Sequence, residues 1–278
     1  MDFRKIEGIF LIVFIALDIF LFFSFRSNLT QVGSRTTSTT TTPTSFVREM
    51  QEDNISVNKL STKRGSGYYL ASQPNAALQQ NYHRLTDQTV SLDSAQMTLI
   101  SKLNDPFRVT TKNRSSVFRD WLKTSGNVLF ADQYEYVPEV SDTTRAVYAQ
   151  KVDGQLLMDS HGQLVFQIRN GWVTGYTQTY IDRLLKLQEM DQTKSAQEAV
   201  MLLYTYSEIP SNSRILWEKL AYGWLLDAKG STIYIPVWYV GIENRNTKVV
   251  TIKRVNAFTG AVLKSNTNDA TSSTTSSS

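Results

Sequence analysis

The stretch "IFLIVFIALDIFLFF", residues 9–23, constrains this chain more than any other part of it. A helix over residues 6–25, rising about 1.5 Å per residue, reaches roughly 30 Å, the thickness of a hydrocarbon core. The sequence therefore predicts a membrane-spanning segment. The apolar run continues to Phe23 and Phe25, and "SFRSNLTQVGS" after it has no A-x-A site, so the expectation is an uncleaved signal anchor. Arg4 and Lys5 precede the run, against Arg26 and a distant Arg35 after it, which places the N-terminus in the cytoplasm and the C-terminal domain outside the cell.

Asp18 sits near the middle of that run. An acid at mid-helix costs about 2.5–3.5 kcal/mol on insertion, and each Leu, Ile, Val or Phe returns roughly 0.3–0.6 kcal/mol, so the helix still inserts. No Lys or Arg within the span can pair with Asp18. One reading is an acid tolerated in the outer half. The other is a helical partner, with Phe14, Ile15, Leu21 and Phe22, three and four residues away on the same face, packing around a polar contact at Asp18.

Composition shifts abruptly after the span. The tract "SRTTSTTTTPTS" is too polar to bury a core and reads as a tether, and the ending "SNTNDATSSTTSSS" has the same character. Between them the 278-residue chain, 41% hydrophobic and 11% aromatic, has material for one large or two modest domains. The absence of Cys excludes disulfides, thiol nucleophiles and thiolate metal sites. The net charge of +4 is spread among acids with no basic run, so the expectation is mild attraction to anionic surfaces and no nucleic acid.

Periodicity then suggests elements. Phe46, Val47 and Met50 predict a short helix leading into a strand at Ile55 and Val57, and "GYYLASQ" predicts another strand. "SLDSAQMTLISKLNDP" predicts a helix capped by Asp93 or Ser94, with Leu92, Met97, Ile100 and Leu103 inward, ended by Pro106. "SSVFRDWLKTSG" predicts a helix stopped at Gly126. From Arg145 the side chains alternate between turns at Asp153-Gly154, His161-Gly162 and Asn170-Gly171, which predicts an antiparallel meander. A helix from Ser195 and three strands follow. The fold class expected is α+β: an N-terminal transmembrane helix plus an extracytoplasmic tandem of helix-on-antiparallel-sheet units. The divisions are 1–29 stub and anchor, 30–45 linker, 46–186 and 187–265 folded units, and 266–278 a disordered tail.

Chemistry-bearing motifs are weak. His161 lies in a turn sequence, "DSHG". "SVNK" and "SGN" match two motifs of penicillin-recognising enzymes, but no K-T-G follows and Ser56 lies in a strand rather than at a helix N-terminus. Asp132, Glu135, Glu139 and Asp142 form an acidic group around Pro138, read as a solvated face. No catalytic residue, cofactor or metal is expected. Trp172, Trp217, Trp224 and Trp238 read as strand aromatics facing a core, with Trp172 and Trp238 the candidates for an ectodomain interface.

The opening "MDFRKIEGIFLIVFIALDIFL", then "YYLASQ", "MDSHGQLVFQIRNGWVTGYTQTYI" and "YIPVWYVGI…VNAFTGAVL", resemble in order the YycI (WalI) family over residues 1–265. The final segment looks like a PepSY-type unit, closing on a Val255 to Gly260 turn. In that turn Asn256 and Thr259 can bond local backbone, and Gly260 permits positive φ. The resemblance implies a non-enzymatic, single-pass regulator of the sensor kinase YycG (WalK), which governs cell-wall metabolism, acting with the related protein YycH. Two other classes stay open: an extracytoplasmic ligand or peptide sensor, and an inhibitor-like or chaperone module resting on fold analogy alone.

Overall fold

The computed structural model describes residues 14, 17–18, 43–74, 76–93, 97–228 and 230–264. The chain divides into two units, residues 1–48 and 49–278. In the first, Phe14, Leu17 and Asp18 are helical and exposed. The rest of the expected anchor lies outside the described residues, as does the tail, and among the described residues no helix is long and apolar enough to cross a membrane.

Helix α1 (Pro43–Glu52) starts on a proline, whose missing N–H costs nothing in a first turn. Strands β1 (Ser66–Gly67) and β2 (Leu70–Ser72), helix α2 (Ala77–Asn81), strands β3 (Gln88–Asp93) and β4 (Thr98–Arg108) and helix α3 (Arg114–Lys123) follow. The next strands are β5 (Tyr134–Tyr136), β6 (Arg145–Val152), β7 (Gln155–Leu157), β8 (Gln163–Arg169), β9 (Trp172–Gln178), β10 (Leu184–Lys186) and β11 (Asp191–Gln192). Helix α4 (Ala196–Thr205) then leads to β12 (Ser213–Ala228), β13 (Ser231–Asn244), β14 (Val250–Asn256) and β15 (Val262–Leu263).

The fold is mixed α+β, dominated by one large sheet with few helices. Its 13 strands run β10-β2-β13-β12-β7-β6-β8-β9-β4-β3, with β14 and β15 continuing from β13 and β5 beside β6. β1 and β11 make a separate pair. The meander expected from Arg145 forms in part: β6–β7 and β8–β9 are hairpins, but β8 pairs with β6 rather than β7, and the segment with His161-Gly162 is a 3-10 turn between them. Asp153 and Gly154 (φ 50° and 80°), and Asn170 and Gly171 (φ 51° and 78°), supply the two positive-φ positions of a tight hairpin. Helix α4 is fixed by a capping box. Ser195 Oγ accepts from Glu198 N at 3.2 Å and Glu198 Oε2 accepts from Ser195 N at 2.8 Å. Its buried face, Ala199, Val200 and Leu203, packs on β12, β13 and β14.

Three expectations are corrected. The segment expected as a helix from Ser91 to Pro106 instead places residues 91–93 on β3 and 98–106 on β4, with Leu92 opposite Leu99 and Asp93 opposite Thr98. Leu99, Ser101 and Leu103 are buried while Ile100 and Lys102 are exposed, a period of two. Met97 turns the chain at φ 51°, and a register shift between Lys102 and Phe107 absorbs Pro106. The strand expected at Ile55 and Val57 reduces to one parallel bridge between Ser56 and Arg214, and "GYYLASQ" divides between β1 and β2.

β13 is the axis of the sheet, with residues 234–242 all buried. Along one edge it pairs with β12. Along the other it pairs first with β2, ending at Tyr234 opposite Leu70, then with β14 from Val237. Pro236 falls in that changeover. Its carbonyl accepts from Ala257 N at 2.9 Å, so its missing N–H points to the same side and β12 loses no bond. The cut expected near residue 186 falls between β10 and β11, and the sheet carries strands from both sides of it. β2 crosses the cut to pair with β13, and in the strand order β12 meets β7 at a single parallel register point, Tyr222 opposite Leu157. Met158 N donates to Tyr222 O at 2.9 Å, and the buried Tyr239 hydroxyl donates to Met158 O at 2.9 Å.

Gly223 makes that last bond possible, because a Cβ there would lie 2.3 Å from the Tyr239 hydroxyl oxygen. Gly223→Ala is expected to lower stability by about 1–3 kcal/mol through overpacking. In a Tyr239→Phe background the same change should cost less, and urea unfolding of the four proteins measures the coupling. Ser195→Ala should cost about 1 kcal/mol by loss of the α4 cap, in the same assay.

Candidate functional site

A cleft of about 690 Å³ opens between α3, the segment 124–132 and β5. Helix α3 forms because Phe118 and Trp121 have an aromatic layer to bury against. Phe118 lies 4.6 Å from Phe166, and Trp121 is edge-on to Tyr176 at 6.2 Å between ring centroids. Burying the inward face leaves Arg114, Arg119 and Lys123 to line the cleft, and Arg84 joins them from the 3-10 turn after α2. Tyr136 and Tyr148, centroids 5.3 Å apart, add an aromatic lining. Asp132 and Glu135 are its acids.

Charge in this cleft is unevenly compensated. Among the described residues, none of the four cations forms an ion pair with a carboxylate. Arg114 is held by donating Nη1 to the Asp142 carbonyl at 2.6 Å, while its Nε is buried with no hydrogen-bond partner among the described residues. Burial raises the Tyr148 phenol above its ordinary range and Tyr136 adds to the effect, while the charges of Arg114 and Arg119 pull it down. Phe130 takes the left-handed conformation, φ 53° and ψ 34°, unusual for a bulky residue, and its ring stacks on Tyr180 at 4.3 Å. Among the described residues β5 pairs with β6 and with no other strand.

The residues singled out in the sequence are dispersed. Asp18 and Phe14 are helical and exposed, while Ile15, Leu21 and Phe22 lie outside the described residues. Trp172 opens β9 after the Asn170-Gly171 turn and is 46% exposed. Trp238 is 8% exposed and donates Nε1 to the Lys194 carbonyl at 2.8 Å, so only Trp172 of this pair offers its ring to solvent. The acidic group is not one solvated face. Glu139 pairs with Lys219 at 2.6 Å and Asp142 with Arg145 at 3.1 Å, while Asp132 and Glu135 turn to the cleft. Ser56 bridges to Arg214 of β12 and does not open a helix.

The cleft's cations were missed because they stand apart in sequence. The available signal was Arg114, Arg119 and Lys123 on one short helix. At the other end of the chain the expected closing turn is present: Asn256 Oδ1 accepts from Phe258 N at 2.9 Å and Thr259 N at 3.1 Å, and Gly260 has φ 82°.

The family model described as YycI protein matches residues 34–258. The chain belongs to the YycI family. The match contains the whole cleft and leaves Asp18 outside it. Among solved structures, the chain is similar to an uncharacterized protein from Eubacterium rectale, at 12% identity over 73% of this chain and 86% of that one, TM-score 0.41. It is similar to YycH from Bacillus subtilis, at 16% identity over 65% of this chain, TM-score 0.41, and spans about half (51%) of that chain. The C-terminal domain of YpeB from Bacillus megaterium is also similar, at 10% identity over 80% of this chain and 94% of that one, TM-score 0.37. The comparison with curated proteins found no match.

Within the YycI-family span, His161 is a group whose titration the fold raises. The buried Asp159 carboxylate accepts from His161 N at 3.0 Å and lies 2.5 Å from the ring Nδ1. That hydrogen bond raises the imidazole above its ordinary 6.5, burial partly offsets it, and the charges of Asp159 and Asp227 add to the rise. A raised folded value means the stabilisation is complete below about pH 6.5 and is lost as pH climbs through the folded value. His161 should titrate above 6.5 by NMR, and His161→Asn should remove this component from the pH profile of unfolding.

Proposed function

We propose that this chain is a membrane-anchored regulator of a YycG/WalK-type sensor histidine kinase controlling cell-wall metabolism, acting in a complex with a YycH-like protein. The observation that carries the reading is the YycI family match over residues 34–258. In this reading residues 6–25 anchor the chain with its N-terminus in the cytoplasm, and residues 46–265 work outside the cell as a binding surface. The folded part combines a first α+β unit with a PepSY-like unit from residue 187, joined through one sheet. The anchor helix contributes directly to the complex, with Asp18 facing a polar group on a neighbouring membrane helix. An interhelical contact of this kind is worth about 0.6–2 kcal/mol, enough to tune an association and not to create it.

Two measurements test this. The natural chain has no Cys, so Ser211→Cys provides a single label on an exposed loop. It should react with a membrane-impermeant maleimide in intact cells, and protection until lysis would refute the topology. Asp18→Leu should insert at least as well as the parent yet reduce crosslinking to the kinase several-fold, while Asp18→Asn should largely retain it. Equal capture by all three forms would mean that the acid is merely tolerated.

A further inference from the structure

We propose that the cleft between α3 and β5 binds an extended acidic peptide segment, its carboxylate on the Arg114, Arg119 and Lys123 side chains and an adjacent apolar side chain on Tyr136 and Tyr148. Three independent features select this ligand. The first is charge. Four cations against two acids line the cleft, and among the described residues none of those cations has an ion-pair partner. Among the described residues the buried Nε of Arg114 has no acceptor. An arginine already oriented by its bond to the Asp142 carbonyl is suited to a carboxylate, because the guanidinium fork is planar and little freedom is lost on binding.

The second feature is shape. A volume of about 690 Å³ falls within the range of roughly 300–1,000 Å³ used for small ligands, so it suits a few peptide residues rather than a bare anion. A free phosphate would leave the tyrosine rings without an occupant. The third feature is the strand edge. Tyr134, Glu135 and Tyr136 of β5 line the cleft, and β5 hydrogen-bonds to β6 on one side only among the described residues. An unpaired edge offers main-chain donors and acceptors to an added strand, the mode by which extended peptides extend a sheet. The cleft lies wholly within residues 84–148, so this proposal stands apart from the role given to Asp18.

The test is isothermal titration of the full-length chain in detergent micelles, with empty micelles as reference. The probes are acetyl-Leu-Glu-Leu-Glu-Leu-amide, the same peptide with Lys for Glu, and inorganic phosphate. The Glu peptide should bind one-to-one and saturably, more weakly as salt rises, since exposed charges are screened. Arg119 and Lys123 are exposed, so the double variant Arg119→Gln/Lys123→Gln should fold as the parent does, as judged by its melting temperature and near-UV circular dichroism. It should bind the Glu peptide at least tenfold more weakly. Failure of the Glu peptide to saturate, equal binding of the Lys peptide, or unchanged affinity in the folded double variant would each overturn the proposal. Phosphate binding as tightly as the peptide would overturn it too, because a bare anion uses neither β5 nor the tyrosines.

Discussion

The fold depends on a narrow seam. β7 contributes three residues, and its parallel contact with β12 is one register point, Leu157 against Tyr222. Ladder hydrogen bonds at such a seam are too few to hold two sheet halves together. Side chains complete the join, since Leu157, Tyr222 and Tyr239 are almost wholly buried and the Tyr239 hydroxyl reaches over Gly223 to Met158 O. A buried carbonyl left without its donor costs about 1–3 kcal/mol, so the tyrosine does more than fill space. Strands β6 to β9 lie on one side of this join in the strand order, and β13 with its neighbours lies on the other.

Local chemistry made part of this architecture legible. Asp-Gly and Asn-Gly define hairpins by themselves, because they tolerate the positive φ that the turn requires. Ser195 and Glu198, three apart, announce a helix start in the same way. The β3–β4 hairpin was misread because a polar residue stands on its buried face. Ser101 is buried and donates to Gln88 Oε1 at 2.5 Å across the strand pair, so the alternation Leu99, Ser101, Leu103 does not look apolar in sequence. The spacing of Leu92, Ile100 and Leu103 then mimics a helix.

The candidate site was less legible than the fold. Arg84 and Arg114 are brought to one cleft only by the packing of α3 on the sheet, and no local pattern records that encounter. The acidic run from Asp132 to Asp142 shows the converse. Its members are close in sequence and yet serve three ends, two lining the cleft, one pairing with β12 through Lys219, and one holding Thr144 and Arg145. Sequence proximity is a poor guide wherever the chain turns through short 3-10 segments, because successive side chains then point to different surfaces.

The position of β2 has a kinetic consequence. This strand hydrogen-bonds to β13 from 160 residues away, as in the bond from Thr232 N to Ser72 Oγ. Contacts so distant in the chain carry a large closure entropy and form late, which slows folding. During synthesis, residues 70–72 wait for their β13 partner until the 230s have emerged. A chain arrested before that point can give β2 its β10 neighbour but leaves the β13 edge of this apolar strand unpaired.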